Sequence, residues 1–131
     1  MHRFRIRVYY EDTDMAGIVY HANYLRYIER ARSDWVRDIG IDQLAMKTKG
    51  VVFAVRRIEA DYLQSARFDD TLEVETTLIH LTPARMVMRQ KVRRDDDLLF
   101  AADVTIACIG AGGKPTRLPA ELRSMPITPA S

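Results

Sequence analysis

The sequence predicts an α+β protein in which a curved antiparallel sheet wraps around one long helix, in the order β-α-β-β-β-β. Two observations carry this prediction. One stretch near the start has a strong helical period, and four later stretches are strand-like and separated by short polar connections. Short links join successive strands in antiparallel pairs. A helix and a sheet that each carry one apolar face must cover one another.

The first strand and the helix follow from their apolar spacing. Residues 3–10, RFRIRVYY, alternate between apolar and basic side chains and predict a half-buried strand. Residues 23–39 have a helical period, with Asn23 as the expected N-cap and Gly40 as the glycine that ends the helix. The predicted apolar stripe of this helix consists of Leu25, Ile28, Ala31, Trp35, Val36 and Ile39.

Four more strands are predicted at residues 51–62, 71–79, 85–92 and 98–109, with hairpin loops at LTPAR and RRDDD. The second strand is apolar on both sides, since Val51, Phe53 and Val55 alternate with Val52 and Ala54. A second subunit is the simplest cover for the extra apolar face. The tail, residues 115–131, holds four of the five prolines, and we expect it to be irregular.

Length and composition narrow the class of protein. The 131 residues suit a single domain spanning 1–131, and 47% apolar content can supply a core. A net charge of +2 is too small to predict a nucleic-acid partner. Cys108 is the only cysteine, which excludes an intrachain disulfide and favours a reducing compartment.

Targeting signals are not found in the sequence. MHRFRIRVYY has no apolar run of the kind that a secretion signal needs. The most apolar stretch, residues 98–109, is shorter than the roughly 20 residues of a membrane helix. We therefore expect a soluble, cytoplasmic protein with no transmembrane segment.

Three acids, Glu11, Asp12 and Asp14, precede the predicted helix. Aspartates in such a place most often shape turns and cap helices. Two aspartates at i and i+2 can also serve as a general acid or base. A metal site is not expected, because Asp12, Asp14 and His21 lack a recognisable ligand spacing.

A helix start beside an acid is a layout that suits the hydrolysis of an ester or thioester. The N-terminus of a helix offers unpaired N–H groups and a partial positive charge, which can hold the developing charge of a substrate carbonyl. Gly17 would allow a substrate to approach the backbone closely. Spacing alone does not make this assignment specific.

The segment YYEDTDMAGIVYHANYLRYIERAR resembles the active-site segment of hotdog-fold acyl-CoA thioesterases of the 4-hydroxybenzoyl-CoA thioesterase class. It is most similar to the YbgC-type branch, which is associated with the Tol–Pal system of bacterial envelopes. The resemblance continues through VVFAVRRIEADYLQSARFDDTLEVET and KPTRLP, so it covers nearly the whole chain. It implies a hotdog fold and a homodimer or homotetramer with active sites at the subunit interface.

The resemblance also implies roles for individual residues. Asp14 matches the catalytic carboxylate, either as the nucleophile or as the general base that activates water. The backbone N–H of His21 matches the amide that polarises the thioester carbonyl, and its ring could donate near the leaving thiolate or be purely structural. Gly17, Tyr20 and Tyr10 are the remaining candidates for the oxyanion and substrate site.

The implied function is hydrolysis of short-chain or aromatic acyl-CoA thioesters to the free acid and CoA. Coenzyme A is then part of the substrate, and no separate cofactor is expected. The alternative is a weakly catalytic or non-catalytic relative that binds acyl carrier protein or enzymes of envelope and phospholipid synthesis. A dehydratase of the same fold is disfavoured by the match to the thioesterase segment.

Other conspicuous residues are interpreted as structural. Tyr24, Tyr27 and Trp35 lie at helical spacing, and Cys108, Met86 and Met88 lie in strands of buried character, so all are expected in the core. Glu29 and Arg32 are expected in ion pairs or an interface. The candidates for contact with the CoA phosphates are Arg56, Arg57, Arg67, Arg85, Lys91 and Lys114.

Overall fold

The computed structural model describes residues 1–129 and shows one antiparallel sheet in the order β1-β3-β4-β5-β2, with a short β6 paired to β5. The predicted strand–helix–four-strand order is confirmed. The strands are β1 His2–Arg7, β2 Val52–Tyr62, β3 Thr71–Leu81, β4 Arg85–Arg94, β5 Asp97–Ile109 and β6 Pro115–Thr116. The helices are α1 Asn23–Asp38, α2 Gln43–Thr48 and α3 Ala120–Arg123.

The core lies between α1 and the inner face of the sheet. Tyr27, Ile28 and Ala31 of α1 are buried, and so are the alternating apolar residues of the strands, such as Met88 opposite Val104. The predicted burial of Cys108, Met86 and Met88 is confirmed. Leu25 was wrongly placed in the helix stripe: it is exposed, and Tyr24 and Tyr27 are buried on that side.

Of the two predictions made for the ends of α1, one is confirmed and the other is wrong. Gly40 ends the helix as expected, with a positive φ of 93°. The N-cap prediction for Asn23 is wrong, since Asn23 is the first helical residue and Ala22 precedes it without a capping side chain. The Asn23 amide instead donates from Nδ2 to the carbonyl of Asp12, at 2.9 Å, and so ties the helix start to the preceding turn.

The tail is more ordered than predicted. β6 pairs with the end of β5, α3 follows, and both Leu118 and Leu122 are fully buried. The backbone N–H of Leu118 donates to Pro83, and that of Thr128 donates to Leu78. The prolines prevent long regular elements, but two leucines four residues apart gain enough burial to fix the tail on the core. Residues 130 and 131 of the predicted tail lie outside the described residues.

The sequence did not predict α2, which occupies the connection between α1 and β2. The carboxylate of Asp42 caps it by accepting hydrogen bonds from the backbone N–H groups of Leu44 and Ala45. An aspartate that caps a helix start is an ordinary N-cap signal. Six residues give too little helical period to recognise from sequence.

β2 is an edge strand, because within residues 1–129 it pairs only with β5. Most of its side chains are exposed, including the apolar Val52, Val55 and Ile58. An eleven-residue edge with exposed apolar side chains is a surface that proteins usually cover or pair.

None of the helices within residues 1–129 is long and apolar enough to cross a membrane.

Candidate active site

Asp14 opens a tight turn that separates β1 from α1. The turn is closed by hydrogen bonds from the Asp14 N–H to the carbonyl of Ile18 and from the Gly17 N–H to the carbonyl of Asp14. Gly17 has a φ of 79°, which favours glycine. The Oδ1 atom of Asp14 accepts a hydrogen bond from the N–H of Ala16, at 2.9 Å. The carboxylate is thus held through one oxygen, and the residue is exposed to solvent.

Asp12 has the structural role that turn chemistry predicts. Its Oδ2 atom accepts the backbone N–H of Tyr9 at 2.9 Å, and its carbonyl accepts hydrogen bonds from Tyr20 and Asn23. Each of these contacts fixes the path of the chain into α1. The two aspartates therefore differ, because Asp12 faces the protein and Asp14 faces a groove.

His21 lies two residues before the first residue of α1. Among residues 1–129, no acceptor takes the hydrogen bond of its backbone N–H. Its carbonyl accepts the hydroxyl of Tyr62 at 2.9 Å. Its ring lies between those of Tyr20 and Tyr62, with centroids 4.6 Å and 6.2 Å away. The residue is held on its carbonyl side and free on its amide side.

Asp14 and His21 line the same open groove, which has a volume of about 310 Å³. The structure therefore brings together the two residues predicted to be catalytic. The opposite wall is formed where β2 ends, by Tyr62, Gln64 and Ser65.

The base of the groove is an aromatic cluster. The rings of Tyr24 and Phe100 are stacked at 5.2 Å, and the ring of Tyr62 meets that of Phe100 edge-on at 5.0 Å. The Tyr24 hydroxyl accepts the N–H of Ala66, and burial raises the pKa of Tyr24, so its phenol is neutral across the physiological range. Burial and the neighbouring Asp12 raise the pKa of Tyr27 likewise. These neutral rings give the groove a rigid apolar base.

Three of the predicted site residues do not line this groove. Tyr10 was expected on a strand face beside the site, but β1 ends earlier and Tyr10 lies in a short 3₁₀ turn, 81% exposed, with its ring against Phe68. The expected strand position is wrong, because β1 ends at Arg7 and the 3₁₀ turn begins at Tyr10. Gly17 shapes the turn beside the groove, and Tyr20 packs on the His21 ring.

Tyr62, Gln64 and Ser65 were not predicted as site residues. They follow one another near the end of a strand, and nothing in DYLQS indicates that this strand ends opposite Asp14. The loop is firmly placed, since Nη1 of Arg94 donates to Asp70 at 2.8 Å and to the carbonyl of Ser65 at 3.3 Å. The hydrogen bond to Asp70 also raises the pKa of Arg94.

One cluster within residues 1–129 has donor types and spacing that a metal ion could use, namely His2, Asp34 and Asp38. Its His2 Nε2 atom is already hydrogen-bonded to Asp34 at 2.8 Å, and its Nδ1 atom is buried without a partner. A metal-bound imidazole normally donates its other N–H to an acceptor. The cluster is better explained as a contact that joins β1 to α1.

Sequence comparison assigns the chain to a known family. The chain belongs to the thioesterase-like superfamily, which matches residues 8–125. The predicted class, a hotdog-fold thioester hydrolase resembling the YbgC-type branch, is thereby confirmed.

Individual relatives are similar over most of their length. The chain is 37% identical over 123 residues to the acyl-CoA thioesterase YbgC of Haemophilus influenzae, covering 92% of this chain and 90% of the relative. It is 39% identical over 108 residues to the acyl-CoA thioester hydrolase YbgC of Escherichia coli, covering 82% and 81%. The crystal structure of a probable thioesterase from Bartonella henselae superposes with a TM-score of 0.86 at 38% identity, covering 90% of this chain and 98% of that one.

Proposed function

We propose that the protein hydrolyses acyl-CoA thioesters at the groove that contains Asp14 and His21. The observation that carries this proposal is that an exposed carboxylate and a backbone N–H without an acceptor in residues 1–129 line one groove at the start of α1. The two relatives at 37% and 39% identity carry the names of acyl-CoA thioester hydrolases, which supports the same substrate class.

The chemistry divides between two groups. The N–H of His21, with the positive end of the α1 dipole behind it, stabilises negative charge on the thioester oxygen as the carbonyl carbon is attacked. Asp14 either attacks that carbon or removes a proton from the attacking water. In both routes water is consumed, the C–S bond breaks, and the acid and the CoA thiol are released. In the proposed reaction the His21 ring donates to the leaving sulfur.

Short-chain and aromatic acyl groups are the proposed substrates. Tyr24 and Tyr62, which line the groove and pack on the buried Phe100, offer an apolar surface for either. Arg67 is exposed and its backbone is bridged to Ile18 beside the groove, so it is a candidate for contact with the CoA phosphates. Coenzyme A is part of the substrate, and we propose that the reaction needs no separate cofactor and takes place in the cytoplasm.

The proposed active unit is a homodimer, or a homotetramer built from it, in which the β2 edges of two copies meet. β2 has a free side and exposed apolar residues, among them Val55 and Ile58. The groove ends at Tyr62, the last residue of β2. A partner that covers β2 therefore also borders the groove, and the site is completed by two copies.

Thiol release over a panel of acyl-CoA substrates tests the proposal. We expect hydrolysis of short-chain or benzoyl-type thioesters by the wild type, with no loss of rate in the presence of a metal chelator. A protein that is folded, dimeric and inert towards every acyl-CoA would contradict it. If that protein bound acyl carrier protein instead, the binding role would replace the enzymatic one.

A further inference from the structure

A second cavity, of about 160 Å³, lies between the second half of α1 and the first half of β2. Its walls include the apolar side chains of Val36, Phe53 and Met88. Its polar residues are Glu29, Arg32, Ser33 and Gln43, so one acid lines the cavity together with the arginine. At about 30 Å³ per water, it has room for roughly five waters or one short organic group. The catalytic proposal does not use it.

Arg32 is unusual because it is a buried cation without an acidic partner. It is 9% exposed, and its only hydrogen bond within residues 1–129 runs from Nη1 to Oε1 of Gln90, at 3.0 Å. Gln90 is fully occupied, since its Nε2 donates to the carbonyl of Ile28 and the hydroxyl of Thr76. Gln90 therefore fixes Arg32 but leaves its charge uncompensated.

The nearest acid does not neutralise Arg32. Glu29 lies one turn earlier on α1, and its Oε1 atom accepts the hydroxyl of Ser33 at 3.1 Å. No carboxylate within residues 1–129 approaches Arg32 to ion-pair distance, although the field of Glu29 partly offsets the effect of burial, which lowers the pKa of Arg32. A guanidinium has five N–H donors in a fixed fork and matches a carboxylate best.

We propose that this cavity binds the distal carboxylate of a short dicarboxylic acyl group, with Arg32 as the residue that selects it. A buried cation that already has a fixed orientation loses little on binding an anion and gains charge-assisted hydrogen bonds. The apolar walls fit the methylene chain of such a group. This inference rests on the proposed thioesterase function and on the proposed dimer.

The proposed binding mode requires a dimer, because the cavity and the groove lie towards opposite ends of β2. From Phe53, at the cavity, to Tyr62, at the groove, the strand advances about 30 Å at roughly 3.3 Å per residue. A short acyl group cannot span that distance within one chain. If two β2 edges pair antiparallel, the Phe53 end of one copy lies beside the Tyr62 end of the other. The acyl group would then extend from the groove of one copy into the cavity of its partner.

Direct binding of free glutarate, measured by calorimetry, tests the cavity without catalysis. We expect the wild type to bind glutarate, and to bind butyrate much more weakly. Arg32→Met should lose at least about tenfold in affinity, the loss expected for a hydrogen bond between charged groups. Arg26→Met is the matched control, since Arg26 is an exposed arginine of the same helix and should bind like the wild type.

Kinetics extend the test to substrates. Glutaryl-CoA is compared with 5-methylhexanoyl-CoA, in which two methyl groups replace the carboxylate oxygens. We expect Arg32→Met to lower the ratio of the two kcat/KM values about tenfold or more, and Arg32→Lys, which keeps the charge without the fork, to lower it less. The comparison of glutarate with butyrate on the wild type needs no variant, so it remains decisive if Arg32→Met does not fold.

The outcomes separate the two proposals. Equal binding of glutarate and butyrate, or equal affinities in Arg32→Met and Arg26→Met, would overturn the carboxylate site while leaving hydrolysis of uncharged acyl-CoA intact. Glutarate binding that depends on Arg32 in a protein without thioesterase activity would keep the carboxylate site and refute the proposed function.

Discussion

The two ends of α1 treat their backbone hydrogen-bonding groups differently. At the C-terminal end the chain turns back through Gly40, and the N–H groups of Gly40 and Ile41 bond to the carbonyls of Arg37 and Val36. Ile41 is buried against the core, so this end is closed. At the N-terminal end the N–H of His21 has no acceptor within residues 1–129, and His21 lines a groove.

This difference indicates which end is available for chemistry. Every helix has unpaired N–H groups at its start and unpaired carbonyls at its end, and folding normally satisfies them. A closed end contributes to stability, whereas an open N-terminus keeps donors free for an incoming anion or oxyanion. The hydrogen bonds of Asp12 and Tyr62 hold the chain around His21 while its amide stays free.

Among the variants remote from Asp14, the largest effect is expected from Ile58→Lys at the free edge of β2. A lysine there should block edge-to-edge pairing. Without the partner subunit, the active site at the N-terminal end of α1 should be incomplete. We therefore expect kcat/KM to fall by about a hundredfold or more, as it does when a substrate is misplaced. Light scattering and thiol release measure the two effects. Ile127→Lys, at an apolar tail residue 45% exposed, is the control and should remain dimeric and active.

Gln90→Leu tests the hydrogen bonds that join α1 to the sheet at Ile28 and Arg32. The substitution leaves the carbonyl of Ile28 and the guanidinium of Arg32 without their partner, at a cost of about 1–3 kcal/mol in the free energy of unfolding. Chemical denaturation measures the loss. Gln64→Leu, on the open groove, should cost almost nothing. Equal losses in the two variants would show that the Gln90 network is not a stabilising feature.

Gly17→Ala and Gly40→Ala compare the turns at the N-terminal and C-terminal ends of α1 in stability and activity. Both glycines have positive φ, of 79° and 93°, and an added Cβ would meet nothing within 4 Å at either. Each variant should therefore lose a similar stability, about 1–2 kcal/mol, from backbone strain alone. Only Gly17→Ala should also reduce thioesterase activity, because it shifts the turn that carries Asp14. If Gly40→Ala reduced activity equally, the functional distinction between the ends would be lost.

The smallest effect concerns Cys108, at the end of β5. Burial raises the pKa of the Cys108 thiol to about 11. An unfolded thiol titrates near 8.5, so the stabilisation is fully present below that pH and is lost as the pH rises towards 11. Denaturation curves of wild type and Cys108→Ala across this range should differ in their pH slope. In addition, the folded thiol should resist labelling at pH 8, and rapid labelling there would contradict its burial.

The fold could be predicted because its signals are local and repeated. α1 and the strands each show a clear apolar period, and short loops such as LTPAR leave few topologies. The errors fall where the period is short or interrupted. The alternating pattern of β1 includes Tyr10, but the strand ends at Arg7 and a 3₁₀ turn begins at Tyr10. Prolines suggested an irregular tail and hid the burial of Leu118 and Leu122.

The site could be predicted only in part, for a related reason. Asp14 and His21 lie on one continuous segment, so a resemblance of that segment was enough to pair them. Gln64 and Ser65 reach the groove from the far end of β2, more than forty residues away, and their position depends on how the sheet is assembled. Arg32 was expected in an ion pair or an interface, and neither its burial nor its contact with Gln90 follows from its place in ERAR.

The most direct test of the central claim compares Asp14→Asn with Asp12→Asn in thiol release from an acyl-CoA that the wild type hydrolyses. Asparagine keeps the side-chain oxygen that accepts the N–H of Ala16 in one case and of Tyr9 in the other, so both turns should be retained. We predict that Asp14→Asn loses about 10²–10⁴-fold in kcat, as for a missing catalytic base or nucleophile, while Asp12→Asn stays close to the wild type. A folded Asp14→Asn variant with wild-type activity would contradict the assignment of the open end of α1 as the catalytic end.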